Sequence, residues 1–242
     1  MNKVILIATR EMGAFFKTWM GYIIIFASLL INGLLFNAFA IGNSPKYSAD
    51  VLKDFFFFNS GIGMVAAVFL AMRLIAEEKQ NGTIVLFYTS PITERQLVYG
   101  KFLSVLCIFL ILQILSLYLP ALIFIEGKVS LGHMFSGYLG VTLLGAAVLS
   151  IAMFGSAVAP NQLLAAVTGA SIVVVLLLLW LVADRVDEPF SGLFAYIAIH
   201  NHRFNPFSKG LVHLKDIVYY LSIIFFFIEC SIRTLETRRL QG

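Results

Sequence analysis

Apolar segments long enough to cross a lipid bilayer recur six times in this chain, and that recurrence limits the fold more than any motif does. They run about Met20–Ile41, Phe55–Ile75, Leu97–Ile125, Leu131–Val158, Gln162–Ala183 and Ile217–Ile232. A helix needs roughly 20 apolar residues to cross a hydrocarbon core ~30 Å thick. Backbone in lipid must also satisfy its own hydrogen bonds, which leaves helices as the spanning element. Composition agrees, with 60% hydrophobic and 12% charged residues and a mean hydropathy of +0.92. Soluble domains carry roughly 25% charged residues, and a soluble core of 242 residues cannot hide this much apolar surface. The expectation is an all-α integral membrane protein of six transmembrane helices, with residues 1–242 forming a single transmembrane domain.

The rest of the composition excludes more than it assigns. A net charge of +4 and a pI near 9.1 fit contact with membrane lipid headgroups and no nucleic-acid groove. Cys107 and Cys230 lie far apart in apolar runs, so no disulfide framework is expected. Lys3 precedes only a short apolar patch before Arg10 and Glu11, which argues against a cleavable signal peptide.

The polar connections carry the information. Residues 1–19 read as an N-terminal interfacial amphipathic helix, with Lys3, Arg10 and Lys17 on one face and Ile5, Ala8, Met12, Phe15 and Trp19 on the other. A polar stretch from Ala76 to Lys101, AEEKQNGTIVLFYTSPITERQLVYGK, joins spans two and three. Asn81-Gly82 tolerates positive φ and breaks the helix. Thr83 is placed to cap a short helix over residues 84–89. Ser90-Pro91 stops that helix, and Thr93 with Gln96 opens the next. The product is a short amphipathic helix lying across the ends of two spans. Small residues Gly63, Ala67 and Ala71 give span two a close-packing face, and Arg73 near its end is placed to snorkel toward the headgroups.

The segment from Asp184 to Asp216 is too apolar for a free loop. Phe190, Leu193, Phe194 and Ile197 make one helical face, and Phe204, Phe207, Leu211 and Leu214 make a second. Two re-entrant helices between spans five and six are expected, with Pro206 near the start of the second. They either gate the mouth of a pathway or pack as a lid. Lys and Arg counts place both termini, and the 76–101 loop, in the cytoplasm.

In its 76–101 stretch the chain resembles the permease subunits of ABC type-2 exporters, through Glu77, Glu78, Gly82, Thr83, Ser90, Pro91, Gly100 and Lys101. It looks most like the gliding-motility and copper-enzyme-maturation subgroup. The segment Phe204 to Tyr220 carries a second part of the likeness. The N-terminus has the family's Arg-Glu pair as Arg10-Glu11, but Thr18-Trp19 where Ser-Pro is usual. The resemblance implies a cytoplasmic coupling helix in the 76–101 loop that docks on a separate ABC ATPase subunit, present in two copies. Glu77, Glu78, Gly82, Thr83, Leu86, Phe87, Tyr88, Ser90 and Pro91 would be its coupling residues. It also implies a second permease subunit, identical or homologous. ATP and Mg would belong to the partner ATPase. The membrane would be the bacterial or archaeal cytoplasmic one, and a periplasmic partner is a further candidate.

Other constellations are weaker. Gly100-Lys101 lacks the first glycine and the Ser/Thr of a phosphate loop. Glu77-Glu78 lacks the arginine that intramembrane CAAX-type proteases place four positions on. His200 and His202, with His213, complete no metal-ligand set and read as exposed interfacial residues, and His133 stands alone. Glu229 inside the last apolar run is expected to pair with Arg233 one turn on, with a proton-relay role as the alternative. Catalytic residues and metal ligands are therefore absent from the reading. Two other function classes stay open: a non-transporting membrane anchor of a cell-envelope machine, and a secondary transporter. The polar in-membrane residues Asn32, Asn37, Asn59 and Gln113 are few, which favours a lipid-like or amphipathic cargo, or mechanical work.

Overall fold

The computed structural model describes residues 3–42, 47–88, 90–126, 129–188 and 190–241. These residues form twelve α-helices: α1 (Lys3–Phe16), α2 (Trp19–Leu35), α3 (Ser48–Ala71), α4 (Ala76–Gln80), α5 (Ile84–Tyr88), α6 (Glu94–Ser116), α7 (Tyr118–Glu126), α8 (Leu131–Val158), α9 (Gln162–Ala183), α10 (Phe190–Ile197), α11 (Asn201–Ser208) and α12 (Leu214–Gln241). A π-helical turn, Phe36–Ile41, prolongs α2. Six helical segments are long and apolar enough to cross a membrane: Trp19–Ile41, Ser48–Gln80, Glu94–Ile123, Leu131–Val158, Gln162–Ala183 and Leu214–Arg239. The protein is an all-α, multi-pass integral membrane protein. Asn43, Ser44, Pro45 and Gly127, residue types that suit turns, and Lys128 lie outside the described residues.

The bundle is built around α8, which packs on α3, α6, α9, α11 and α12. Glycines let it sit so centrally. A Cβ at Gly145 would stand 2.2 Å from the Phe109 ring of α6. At Gly155 it would stand 2.7 Å from the backbone nitrogen of Gly169, so α8 and α9 touch backbone to backbone. Of the six spans α8 is 78% buried, against 22% for the one begun by α2 and 17% for α9; the latter two leave most of their apolar surface exposed. Within the core, Asn32 Nδ2 donates to Asn59 Oδ1 (2.7 Å) and Asn59 Nδ2 donates to Gln113 Oε1 (3.0 Å), tying spans one, two and three. Three of the four amides that look sparse in the sequence form one buried ladder, while Asn37 is exposed.

Two spans are broken, each for a local reason. Between α3 and α4 the helix opens at residues 72–75. The Ser156 hydroxyl of α8 accepts from the nitrogens of Ile75 (3.0 Å) and Ala76 (2.9 Å) and donates to the carbonyl of Met72 (2.8 Å). One side chain thus replaces the backbone partners lost at the break. Span three breaks at Leu117, where Pro120 lacks the N–H that would continue the ladder.

The end holding α1, α4, α5 and the C-terminus of α12 is called proximal, and the end holding α10 and α11 distal. Several sequence expectations are corrected here. The first helix stops at Phe16, and α2 begins afresh at Trp19. Its packed face is Ile7, Ala8 and Phe15, while Ile5 and Trp19 are exposed, because α1 lies on α6 across Gly100, whose hydrogen-for-side-chain surface meets Ile7 and the Val4 carbonyl. The second span starts seven residues earlier than Phe55 and the last runs on to Gln241, since polar helix ends project beyond the apolar runs.

Candidate functional site

The proximal end concentrates the charge. Asn81 ends α4, and Gly82 adopts φ +70°, a conformation that side chains disfavour. The chain reverses there into α5. The Thr83 hydroxyl donates back to the Glu78 carbonyl (3.4 Å), and the Thr83 carbonyl accepts from Leu86 N (3.0 Å). Ser90 closes α5 by donating to the Phe87 carbonyl (2.8 Å). Thr93 and Gln96 then form a capping box on α6. The helix α5 turns Ile84 and Phe87 toward the protein and exposes Val85 and Leu86, at 58% and 68%. Thr89 and the Tyr88 side chain lie outside the described residues.

Beneath α5 sits a network drawn from three elements. Lys101 of α6, only 1% exposed, lies 2.7 Å from Glu78 of α4 and 3.3 Å from Glu11 of α1. Arg10 of α1 pairs with Glu11 (3.2 Å) and approaches Glu78 (4.0 Å). The ring of Phe87 faces both Arg10 (5.4 Å) and Lys101 (5.6 Å), an arrangement favourable to cations. Arg73 grips Glu77 with two nitrogens, at 2.8 and 3.3 Å, and donates to Thr18 Oγ1 (3.2 Å) at the junction of α1 and α2. Thus Arg73 is bonded within the protein and does not reach freely for the headgroups. Lys3 donates to the Pro91 carbonyl (2.6 Å). Arg10, Glu11, Arg73, Glu77, Glu78 and Lys101 line a cleft of about 230 Å³.

Neighbouring contacts brace this end. The Lys79 ammonium donates to the carbonyls of Ala157 and Ala159 (3.1 Å to the latter), covering the C-terminus of α8. Arg239 reaches Glu94 (2.6 Å), and Arg238 donates to the Val158 carbonyl (2.7 Å). Glu229 sits 3.1 Å from Arg233 and 3.9 Å from Arg95. Gly100 and Lys101 lie inside a helix with the lysine committed to carboxylates, so they form no phosphate cradle. Among the described residues no group of three or more His, Cys, Asp or Glu is placed to hold a metal ion. The network offers no nucleophile with an adjacent base; it ties α1, α4, α5 and α6 together mechanically.

The distal end holds a second polar assembly. Arg203 of α11 pairs with Asp216 of α12 (3.0 Å) and lies between the rings of Tyr196 (4.3 Å) and Tyr219 (4.6 Å). It also donates to the Tyr196 carbonyl (3.2 Å). The Tyr219 hydroxyl donates to the Ile197 carbonyl, and that of Tyr220 to the Ile199 carbonyl (2.9 Å). The non-helical backbone between α10 and α11 is thereby satisfied by protein, as the membrane demands.

Here too the sequence reading needs correction. Phe204 and Phe207 are buried, but Leu211 and Leu214 are 55% and 75% exposed. Gly210, at φ +85°, ends the helical register before them. Pro206 sits in the latter half of α11. His200 is buried, bonded to Ser60 (2.8 Å) and Asn201 (3.0 Å) and stacked on Phe204. His133 bonds the Ser208 carbonyl (2.8 Å). Local turn chemistry and periodicity do not single out Lys101, Glu11, Ser156, Arg203, Asp216 or the tyrosine pair as site residues. A lysine inside an apolar run was a usable signal, because a charge at that depth needs a partner.

Six helices long and apolar enough to cross a membrane, with charge networks at the two ends, describe a multi-pass membrane protein. The sequence model of the family described as ABC-2 family transporter protein matches residues 35–225, and the chain belongs to that family as a permease component of an ABC transporter. A comparison with curated proteins finds no match.

Proposed function

We propose that this permease is driven by a separate ABC ATPase subunit and that α5 is the coupling helix. The carrying observation is the pair of exposed apolar side chains, Val85 and Leu86, on a helix seated over the Glu78–Lys101–Glu11 network. Closure of two ATPase chains on ATP and Mg would push α5. The network would pass that displacement to α1 and α6 as a unit, and Glu77 with Arg73 would pass it into span two. Gly82, Thr83, Ser90 and Pro91 set the angle of α5, and Phe87 couples it to the cations below. Tyr88 is assigned to the same surface through the resemblance.

In this reading the proximal end is cytoplasmic, with both termini there, in a bacterial or archaeal cytoplasmic membrane. A second permease, identical or homologous, completes the pathway, and transport is export, as in the gliding-motility and copper-enzyme-maturation subgroup. The wall of each half is an apolar groove of about 940 Å³ between α2, α3 and α9, lined by Ile23, Ile31, Phe57, Val65 and Trp180 among others. Such a lining suits a lipid-like or amphipathic cargo. Phe204 and Phe207 hold the re-entrant pair over its distal end.

The test is capture of the tagged chain from native membranes in mild detergent. A stoichiometric ATPase that is lost on Leu86→Glu supports the assignment. An ATPase retained at full stoichiometry, with unchanged stimulation in both Leu86→Glu and Gly82→Pro, refutes α5 as the coupling element. Recovery of an intact complex without any ATPase favours the anchor reading.

A further inference from the structure

One side of α12, bordered proximally by Phe154 of α8, carries a furrow that the transport reading does not use. Its distal part, about 550 Å³, lies between α12 and α10 and is lined by Tyr196, Lys215, Val218, Tyr219, Ser222 and Phe226, among others. A hollow of about 800 Å³ continues it proximally to Glu229 and Arg233 and shares Val218, Ser222 and Phe226.

Its chemistry changes along its length. Lys215 stands exposed at the distal mouth with no ion-pair partner among the described residues. Beside it Tyr196 is 62% exposed, although its ring also packs on the Arg203 guanidinium. Below them the wall is Val218, Ser222 and Phe226, and the Ser222 hydroxyl is turned back onto the Val218 carbonyl (2.8 Å). Phe226 lies eleven positions beyond Lys215, or about 16 Å at 1.5 Å per residue. That is about half of a hydrocarbon core of ~30 Å. A cation, then aromatic rings, then an apolar wall one leaflet deep match the profile of one phospholipid: phosphate, glycerol region, acyl chains.

We propose that the distal half of α12 is a phospholipid site, with the phosphate on Lys215, the glycerol region against Tyr196 and Tyr219, and the acyl chains along Val218, Ser222 and Phe226. Lys215 has no ion-pair partner among the described residues, and a lipid phosphate supplies the countercharge it lacks. Bound lipid would press Tyr196 onto Arg203 and so steady the clamp between α11 and α12. The inference rests on the bilayer placement of the six spans and not on the ATPase assignment.

The probe is phosphatidylglycerol with a diazirine in one acyl chain, added to the full chain in mild detergent, photolysed and mapped by peptide mass spectrometry. Label is expected to concentrate on residues 218–226 above the exposed faces of α2 and α9. Lys215→Gln should cut it about fivefold, the loss of one lysine–lipid attraction at the membrane surface. Ser222→Trp, which fills the furrow from an exposed position, should remove it, and Lys53→Ala should leave it unchanged. Size-exclusion profiles confirm that each variant is folded, and either furrow variant alone decides the matter. Uniform label on α2, α9 and α12, insensitive to both variants, would mean bulk lipid only. Absent α12 label together with disulfide cross-linking of Ser222→Cys between copies would make the furrow a protein contact. Either result overturns the proposal.

Discussion

Lys101 is almost wholly buried and lies between two carboxylates from different helices. Removing one member of such a group leaves the others charged and unpaired, which costs more than the pair contributed. Lys101→Met should therefore lower stability by on the order of 3 kcal/mol, read as a fall in the thermal midpoint in detergent. Adding Glu78→Met should recover part of that loss, and strict additivity of the two would show that the contact carries no coupling. Ser156 is a neutral counterpart. Ser156→Ala strips the partners from Ile75 N and Ala76 N and should cost about 2 kcal/mol, although the change removes a single oxygen. His200 sets a pH dependence. Burial holds its pKa below the ordinary value, with the Asn201 contact opposing in part. A group depressed in the folded state leaves the unfolded chain binding more protons below about pH 6.5, so stability falls as pH drops from there toward the lower folded value. Thermal midpoints at pH 7.5 and 5.5 should diverge in the wild type and converge in His200→Asn.

At the scale of elements, contacts between spans depend on the absence of side chains. A methyl group at Gly155 would meet the backbone of Gly169, which cannot rotate away, whereas one at Gly61 would meet nothing within 4 Å. Gly155→Ala should separate α8 from α9 and cost about 1–3 kcal/mol, while Gly61→Ala should show no loss. Equal midpoints for the two variants would contradict the backbone contact. The broken helices follow a similar rule. The break between α3 and α4 exists because α8 brings a hydroxyl to it, and the turn between α10 and α11 exists because α12 brings two phenols. The sequence shows the apolar runs and the proline at 120; it does not show which run supplies the missing partner. That is why the second span could be placed but its opening at residues 72–75 could not.

For the whole molecule, the expected consequence of the proximal network is mechanical: a load on α5 should move α1 and α6 together. Under the proposed ATPase coupling, cysteine pairs linking α1 to α6 should cross-link equally with and without ATP, while pairs from α5 across to the second permease subunit should change. A change within the α1–α6 pair would show that the network does not act as one body. What the sequence by itself determined was the class: six apolar runs, their all-α nature and the polar loop between spans two and three. Hydrophobic run length and turn chemistry are local properties, and lipid admits few other structures for such runs. Only the tertiary structure decided the site. Glu11, Glu78 and Lys101 are far apart in the chain, and Arg203 meets Asp216 only once α11 folds against α12. Charge pairs in a low-dielectric interior are set by which helices pack and in what rotation, and that depends on glycines and buried hydroxyls whose partners no local pattern names.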